Sequence, residues 1–271
     1  MSFRLSALGD EAAGPIAAQC AALRDLGLWH IEVRACDRQV LIDSDPALTE
    51  AAAEAIRQAG LTVSAYASPL GKVRIDSDLA EHRRRFGRAL DVARRLGTGA
   101  IRVFTFYMPP GSWAEHRSTV LREFAFFAAE AERSGMRLLV ENERGIYADV
   151  PERCLDLVEG VGSPAVRLLF DPANFIQCGA TPFPDGWNLL GKHVAYVHIK
   201  DALRAGGEVR PAGEGDGRLP ELLRALAASG YDGFLSLEPH LKGEDRMARA
   251  VGALRRVLAA EGLVETDGPR P

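Results

Sequence analysis

The stretch Arg137-Leu138-Leu139-Val140-Glu141-Asn142-Glu143 decides how the chain is read. Its first four residues have the make-up of a buried strand, and that strand runs straight into a carboxylate. The pattern recurs three times downstream. Leu168-Leu169-Phe170 meets Asp171, Ala195-Tyr196-Val197 meets His198, and Leu235-Ser236-Leu237 meets Glu238. Four successive hydrophobic strands therefore end on a side chain able to ligate a metal.

Upstream the same alternation of strand and helix holds. Strands are predicted at Phe3–Ala7, His30–Arg34, Leu61–Ala67 and Ala100–Phe106, then at Arg137–Val140, Val166–Phe170, Val194–Ile199 and Phe234–Leu237. Apolar stripes at helical spacing lie between them. Ile16, Cys20 and Leu23 mark a first helix over about 12–26, and Phe124, Phe127, Ala128 and Ala131 mark a long one before Gly135. Alternating β and α units call for a parallel sheet. Eight units in this length fit a closed (β/α)8 TIM barrel as a single α/β domain. The competing open doubly wound sheet lacks its phosphate fingerprint, since Gly9-Asp10-Glu11 after the first strand is not GxGxxG. The barrel is expected over 1–264, with 265–271 a disordered tail.

The 271 residues carry a net charge of −4 with acids and bases interspersed, so no nucleic-acid or membrane partner is expected. Neither a signal peptide nor a spanning segment is read in the chain. Four scattered cysteines without a CxxC pair read as reduced thiols of a cytoplasmic protein.

In such a barrel the site lies at the C-terminal strand ends, where Glu141, Asp171, His198 and Glu238 fall. Three carboxylates in one small space repel one another, and a divalent cation removes that conflict. Oxygen ligands with one imidazole suit Mn²⁺, Mg²⁺ or Co²⁺, and suit Zn²⁺ less well. Taken singly, Asp171 before Pro172 also reads as a helix N-cap, and His198 as a satisfied core histidine. Lys200 shares parity with His198, so it binds a substrate oxygen or acts as an acid, or else pairs with Glu238 or Glu141. Glu32 and Arg34 face inward as an ion pair or as substrate contacts. Phe104, Phe106, Tyr107 and Trp113 wall the mouth or pack the core.

His30-Ile31-Glu32-Val33-Arg34, Val140-Glu141-Asn142, Phe170-Asp171-Pro172-Ala173-Asn174, His198-Ile199-Lys200-Asp201, Gly213 to Gly217, and Gly230 to Gly233 through Glu238-Pro239-His240 together carry a resemblance. The chain resembles the xylose isomerase-like TIM-barrel superfamily of sugar isomerases and epimerases over nearly its whole length. The resemblance implies one divalent ion, Mn²⁺ first, held by Glu141, Asp171, His198 and Glu238. It further implies Glu141 and Glu238 as the catalytic acid/base pair, working through a metal-stabilised enediolate on a ketose, keto-cyclitol or related sugar. The expected substrate-binding residues are Lys200, Arg204, Asn174, Glu32, His240 and Phe106. Arg204 matches the arginine six residues after the metal histidine of the epimerases. Asn174 stands where they have a histidine, and Tyr147 where they have a second glutamate. A dehydratase on the same scaffold is the runner-up. An abasic-site endonuclease would need more strand-end histidines than this chain offers, and a non-catalytic sugar-binding barrel is the remaining alternative. The expected partner is a small sugar or cyclitol, with self-association into a homo-oligomer left open.

Overall fold

Parallel pairing runs round the whole sheet and returns to its start. The computed structural model describes residues 2–266 and 268. Strands β1 (Ser2–Leu8), β2 (His30–Val33), β3 (Thr62–Ala67), β4 (Ala100–Val103), β5 (Arg137–Glu141), β6 (Val166–Phe170), β7 (Val194–Ile199) and β8 (Phe234–Leu237) pair in chain order. β8 then pairs with β1, with Arg4 opposite Phe234 and Ala7 opposite Leu237. That last pairing closes a (β/α)8 barrel and excludes the open sheet.

The strands are buried on both faces, hence their nearly unbroken apolar runs. Around them lie α1 (Ile16–Asp25), α2 (Pro46–Gln58), α3 (Leu79–Leu96), α4 (Trp113–Arg133), α5 (Pro151–Val161), α6 (Pro172–Gln177), α7 (Trp187–Leu190), α8 (Leu219–Ala228) and α9 (Arg246–Ala260). Each longer helix turns one apolar stripe to the sheet. On α3 that stripe is Phe86, Ala89, Leu90 and Ala93, with the Asp78 side chain capping the first turn and Gly97 at φ +73° ending the last. Inside the barrel, Leu139, Leu169 and Tyr196 form a separate small cluster with Ala65. The centre is thus packed rather than open.

Two boundaries differ from the sequence reading by more than one residue, each for a local reason. α1 starts at Ile16, not Ala12, because Gly14 precedes a proline and Pro15 itself is extended at ψ 141°. Residues 9–11 make only a single 3-10 turn. β4 stops at Val103, not Phe106. Beyond it the backbone bonds the loop after β3, Phe104 N–H to Leu70 O at 2.7 Å and Phe106 N–H to Gly71 O at 3.1 Å, and Phe106 sits at φ +69°. Two short hairpins, Ala35–Cys36 with Gln39–Val40 and Asp201–Ala202 with Val209–Arg210, carry no periodic signal and went unread. Val264–Glu265 pairs beside the start of β1, and Thr266 N–H donates to Phe3 O. The expected tail over 265–271 is therefore attached at its first two residues, while 267 and 269–271 lie outside the described residues. No helix among the described residues is long and apolar enough to cross a membrane, and all four cysteines are free thiols.

Candidate metal and catalytic site

Strand parity builds the site. Leu139, Leu169, Tyr196 and Ser236 form one level of β5 to β8. Two residues further along each strand stand Glu141, Asp171, His198 and Glu238. One ligand atom from each of these four lies within 4.8 Å of the others. His198 Nδ1 is the hub, 3.3 Å from Glu141 Oε1, 3.3 Å from Glu238 Oε2 and 3.8 Å from Asp171 Oδ2. His198 and Asp171 are fully buried, and Glu141 and Glu238 nearly so.

Backbone clamps fix this geometry. Asn142 Oδ1 accepts from Asp171 N–H and its amide donates to Asp171 O, both at 2.9 Å, which locks the end of β5 to the end of β6. Asp171 serves two purposes. Its Oδ1 accepts from Asn174 N–H at 2.9 Å and caps α6, while Oδ2 turns to the cluster. The helix-cap reading of Asp171 thus holds, and it leaves the second carboxylate oxygen facing the cluster. On the far side of His198, Nε2 lies 3.1 Å from Glu32 Oε2. Glu32 also accepts from Ser236 Oγ at 2.6 Å and Tyr196 Oη at 3.1 Å. That partner holds the imidazole with Nδ1 toward the cluster.

The electrostatics favour a cation at this point. Burial works against a charged His198, but Glu32, Glu141 and Glu238 outweigh it and raise its proton affinity well above the ordinary value. Burial pushes the Glu238 carboxyl up, and Lys200 and His198 more than reverse this and hold it well below the usual range. Lys200 Nζ lies 2.8 Å from both Asp171 Oδ2 and Glu238 Oε2, and those carboxylates hold its proton more firmly than usual against the desolvation. His198 Nδ1 is buried and makes no hydrogen bond among the described residues, while Glu141 Oε2 and Asp171 Oδ2 meet only cations, Arg102 at 3.3 Å and Lys200 at 2.8 Å. Buried polar atoms normally have partners, and hard oxygens and an imidazole nitrogen that face one point and draw cations fit a divalent ion.

Glu141 and Glu238 of the cluster line a cavity of about 920 Å³, with Asp171 and His198 buried behind them. Lys200, Arg204, Asn174 and His240, which the sequence reading assigns to substrate binding, line it. Asn174 donates to Glu141 Oε1 at 3.3 Å. Two expected substrate contacts are corrected. Glu32 has no exposed surface and lies beneath His198, so its role is to orient that ring. Phe106 is also fully buried, edge-on to His82 and Phe124, because its positive φ turns it away from the mouth. Phe104 and Tyr107 line the cavity instead. Tyr147 points away, donating to Asp156.

Arg102, nearly buried on β4 and 3.3 Å from Glu141 Oε2, was missed. An arginine inside an apolar strand was the available signal. Arg34 spans Asp10, Glu11 and Glu238, so the inward ion pairing read for β2 is its own rather than one with Glu32. The loop after β7 is gathered by buried Asp201, which accepts N–H bonds from Ala202, Gly213, Gly215 and Gly217 at 2.9–3.1 Å. A Cβ at Gly215 would fall 2.4 Å from the Asp201 carboxylate, so glycine is required there.

The family model for the xylose isomerase-like TIM barrel matches residues 20–257. The chain belongs to this family. It is 30% identical over 142 residues to 2-epi-5-epi-valiolone 7-phosphate 2-epimerase of an Actinoplanes species, covering 52% of this chain and 51% of that protein. The chain spans about half the length of the curated relatives it matches. In fold it is similar to 3-keto-D-glucoside 4-epimerase of E. coli, with a TM-score of 0.74 and 17% identity over 96% of this chain and 99% of that one. It is equally similar to the probable 3-DHS dehydratase of Bacillus anthracis, at 0.75 and 16% over 94% and 99%. At these identities the two structures speak to fold alone.

Proposed function

We propose that the protein is a divalent-metal-dependent isomerase or epimerase of a ketose, keto-cyclitol or related sugar. The observation that carries this reading is the convergence of Glu141 and Glu238 on one imidazole nitrogen at the floor of an open cavity. Glu141, Asp171, His198 and Glu238 would hold the ion, with Mn²⁺ the first choice. When bound, it would supply Lewis-acid polarisation of a substrate carbonyl.

The chain's own groups supply the proton transfers. Glu141 and Glu238 arrive from β5 and β8, with β6 and β7 between them in the wall. One takes the proton from the carbon beside the carbonyl, and the other returns a proton to the resulting enediolate. Glu238 held low by Lys200 is a weak base. A substrate oxygen that draws Lys200 away would restore its basicity. Asn174 and His240 are placed to hold hydroxyls. The Actinoplanes relative, named as an epimerase of a cyclitol phosphate, supports the keto-cyclitol end of this range.

The test is turnover of a keto-sugar and keto-cyclitol panel in heavy water. Deuterium should enter the carbon beside the carbonyl. Glu141→Gln and Glu238→Gln should each lower turnover by about 10²–10⁴-fold, the usual share of general acid–base catalysis. Wild-type turnover in both variants would falsify the two-glutamate mechanism. A second reading is a dehydratase, with Lys200 at the cavity wall placed to meet a departing hydroxyl. Product analysis separates the two: an epimer or aldose–ketose pair for the first, loss of water for the second.

A further inference from the structure

A second cavity, of about 810 Å³, opens at the strand starts, the end of the barrel opposite to the carboxylate cluster. Arg4, Arg137 and Arg167 line it, together with Glu132 and Asp232. Strand parity sets the arginines there. Arg4 stands two residues before Ser6, whose Oγ meets Ser64 Oγ at 2.7 Å inside the barrel. Arg137 and Arg167 stand two residues before Leu139 and Leu169 of the inner cluster. Each arginine is thus the inward residue one level below that packed layer. Register fixes their spacing. Leu139 lies opposite Arg167 on the neighbouring strand, which puts Arg137 on the diagonal from Arg167, about 8 Å away between Cα atoms. Arg4 lies opposite Phe234, and its guanidinium sits 4.3 Å from the centre of that ring, which lines the same cavity. Leu139 and Tyr196 close the inner end. The packed layer therefore separates this cavity from the metal cluster.

None of the three arginines has a carboxylate partner among the described residues. Arg4 donates to Asp232 O, and Arg167 Nη2 donates to Lys192 O at 2.7 Å, both backbone carbonyls. The Arg137 side chain makes no hydrogen bond among the described residues. Acids stand at the same rim, yet Glu132 accepts from Ser163 Oγ, and neither Glu132 nor Asp232 forms an ion pair with an arginine among the described residues. Elsewhere this chain pairs arginines readily, as Arg83 with Glu123 and Arg117 with Asp156 show. Burial, and next the charge of Arg137, make Arg167 hold its proton less firmly than usual. Like charges around one cavity repel, and an anion among them reverses the sign of that energy. Guanidinium forks match phosphate oxygens. Three forks also offer more donors than the two oxygens of one carboxylate accept, whereas a phosphate group presents three free oxygens. The volume falls within the roughly 300–1,000 Å³ of small-molecule sites, so an organic body fits beside the phosphate.

We infer that the N-terminal mouth of the barrel is a binding site for a phosphate-bearing small molecule, held by Arg4, Arg137 and Arg167. It is separate from the metal and substrate cavity and does not depend on the function proposed above.

The test is calorimetric binding of inorganic phosphate and ribose 5-phosphate, with ribose as the neutral control, to the full chain and to the Arg137→Ala/Arg167→Ala double variant. A chelator in every sample keeps divalent ions from carrying phosphate to the other cavity. The expected result is saturable binding of a phosphate probe that ribose does not share, that weakens with added salt, and that is at least about tenfold weaker in the double variant. Arg4→Gln is the second variant. It gives up only a bond to a backbone carbonyl, so it should fold and weaken binding in the same direction even if the double variant does not fold. No saturable binding of either phosphate at millimolar concentration would overturn the inference. Wild-type affinity in the folded variants would overturn it too, because the phosphate would then lie elsewhere on the chain.

Discussion

Replacing His82 by leucine should remove one source of acid sensitivity while making the protein less stable at neutral pH. His82 is buried on α3 between Phe106 and Phe127, and its Nε2 accepts from Gly71 N–H at 3.1 Å. Burial, helped by Arg85, lowers its pKa from 6.5 to about 4. The sign follows from proton linkage. As pH falls below 6.5 the unfolded chain binds a proton that the folded chain refuses, so stability falls until the folded group titrates near 4. Between pH 7 and pH 5 this single histidine should cost about 2 kcal/mol. His30, also lowered to about 4 by burial, adds a similar slope that both proteins share. The leucine variant leaves the Gly71 N–H without its acceptor, at about 1–3 kcal/mol independent of pH. Urea unfolding of both proteins at pH 7 and pH 5 measures the two effects. The wild type should lose about 2 kcal/mol more than the variant over that interval. Equal losses would show that His82 is not held neutral and would refute the argument. The residue matters to the site because Gly71, at φ +86° with no room for a Cβ against Phe104 O, leads directly into Lys72 at the cavity wall.

Asp171→Asn and His198→Ala should weaken Mn²⁺ binding, read by calorimetry, with activity partly restored by excess metal; unchanged affinity in both would remove these residues from the ligand set. Asp201→Ala should release four backbone N–H groups and lower the unfolding free energy by at least about 2 kcal/mol. The β7 loop should then be cut faster by protease, and an unchanged cleavage rate would mean that Asp201 does not gather it.

The barrel was legible because its strands are buried on both faces and its helices on one. That contrast writes apolar runs and 3.6-residue stripes into the chain in strict alternation. The four-residue cluster was legible for a related reason: in a barrel, a strand's last inward residue lies at the rim whatever the loops do. Phe106 and Glu32 show where this logic ends. Phe106 shares the composition of its strand, but the loop after β3 captures its backbone and turns the ring into the core. Glu32 has the right parity to face a substrate, yet it lies a level below, where Tyr196, Ser236 and His198 enclose it.

The sequence by itself determined the eightfold alternation, the rim position of Glu141, Asp171, His198 and Glu238, and the glycines that let the loops turn. These depend on burial and backbone freedom, which act residue by residue. Only the tertiary structure decided the pairings among charges. It joined Glu32 to His198 across 166 positions and Arg34 to Glu238 across 204. It also set Arg144 and Arg204, from the loops after β5 and β7, along one cavity. Charge pairing depends on distances of a few ångströms between groups from different loops, and no local pattern in the chain encodes those distances.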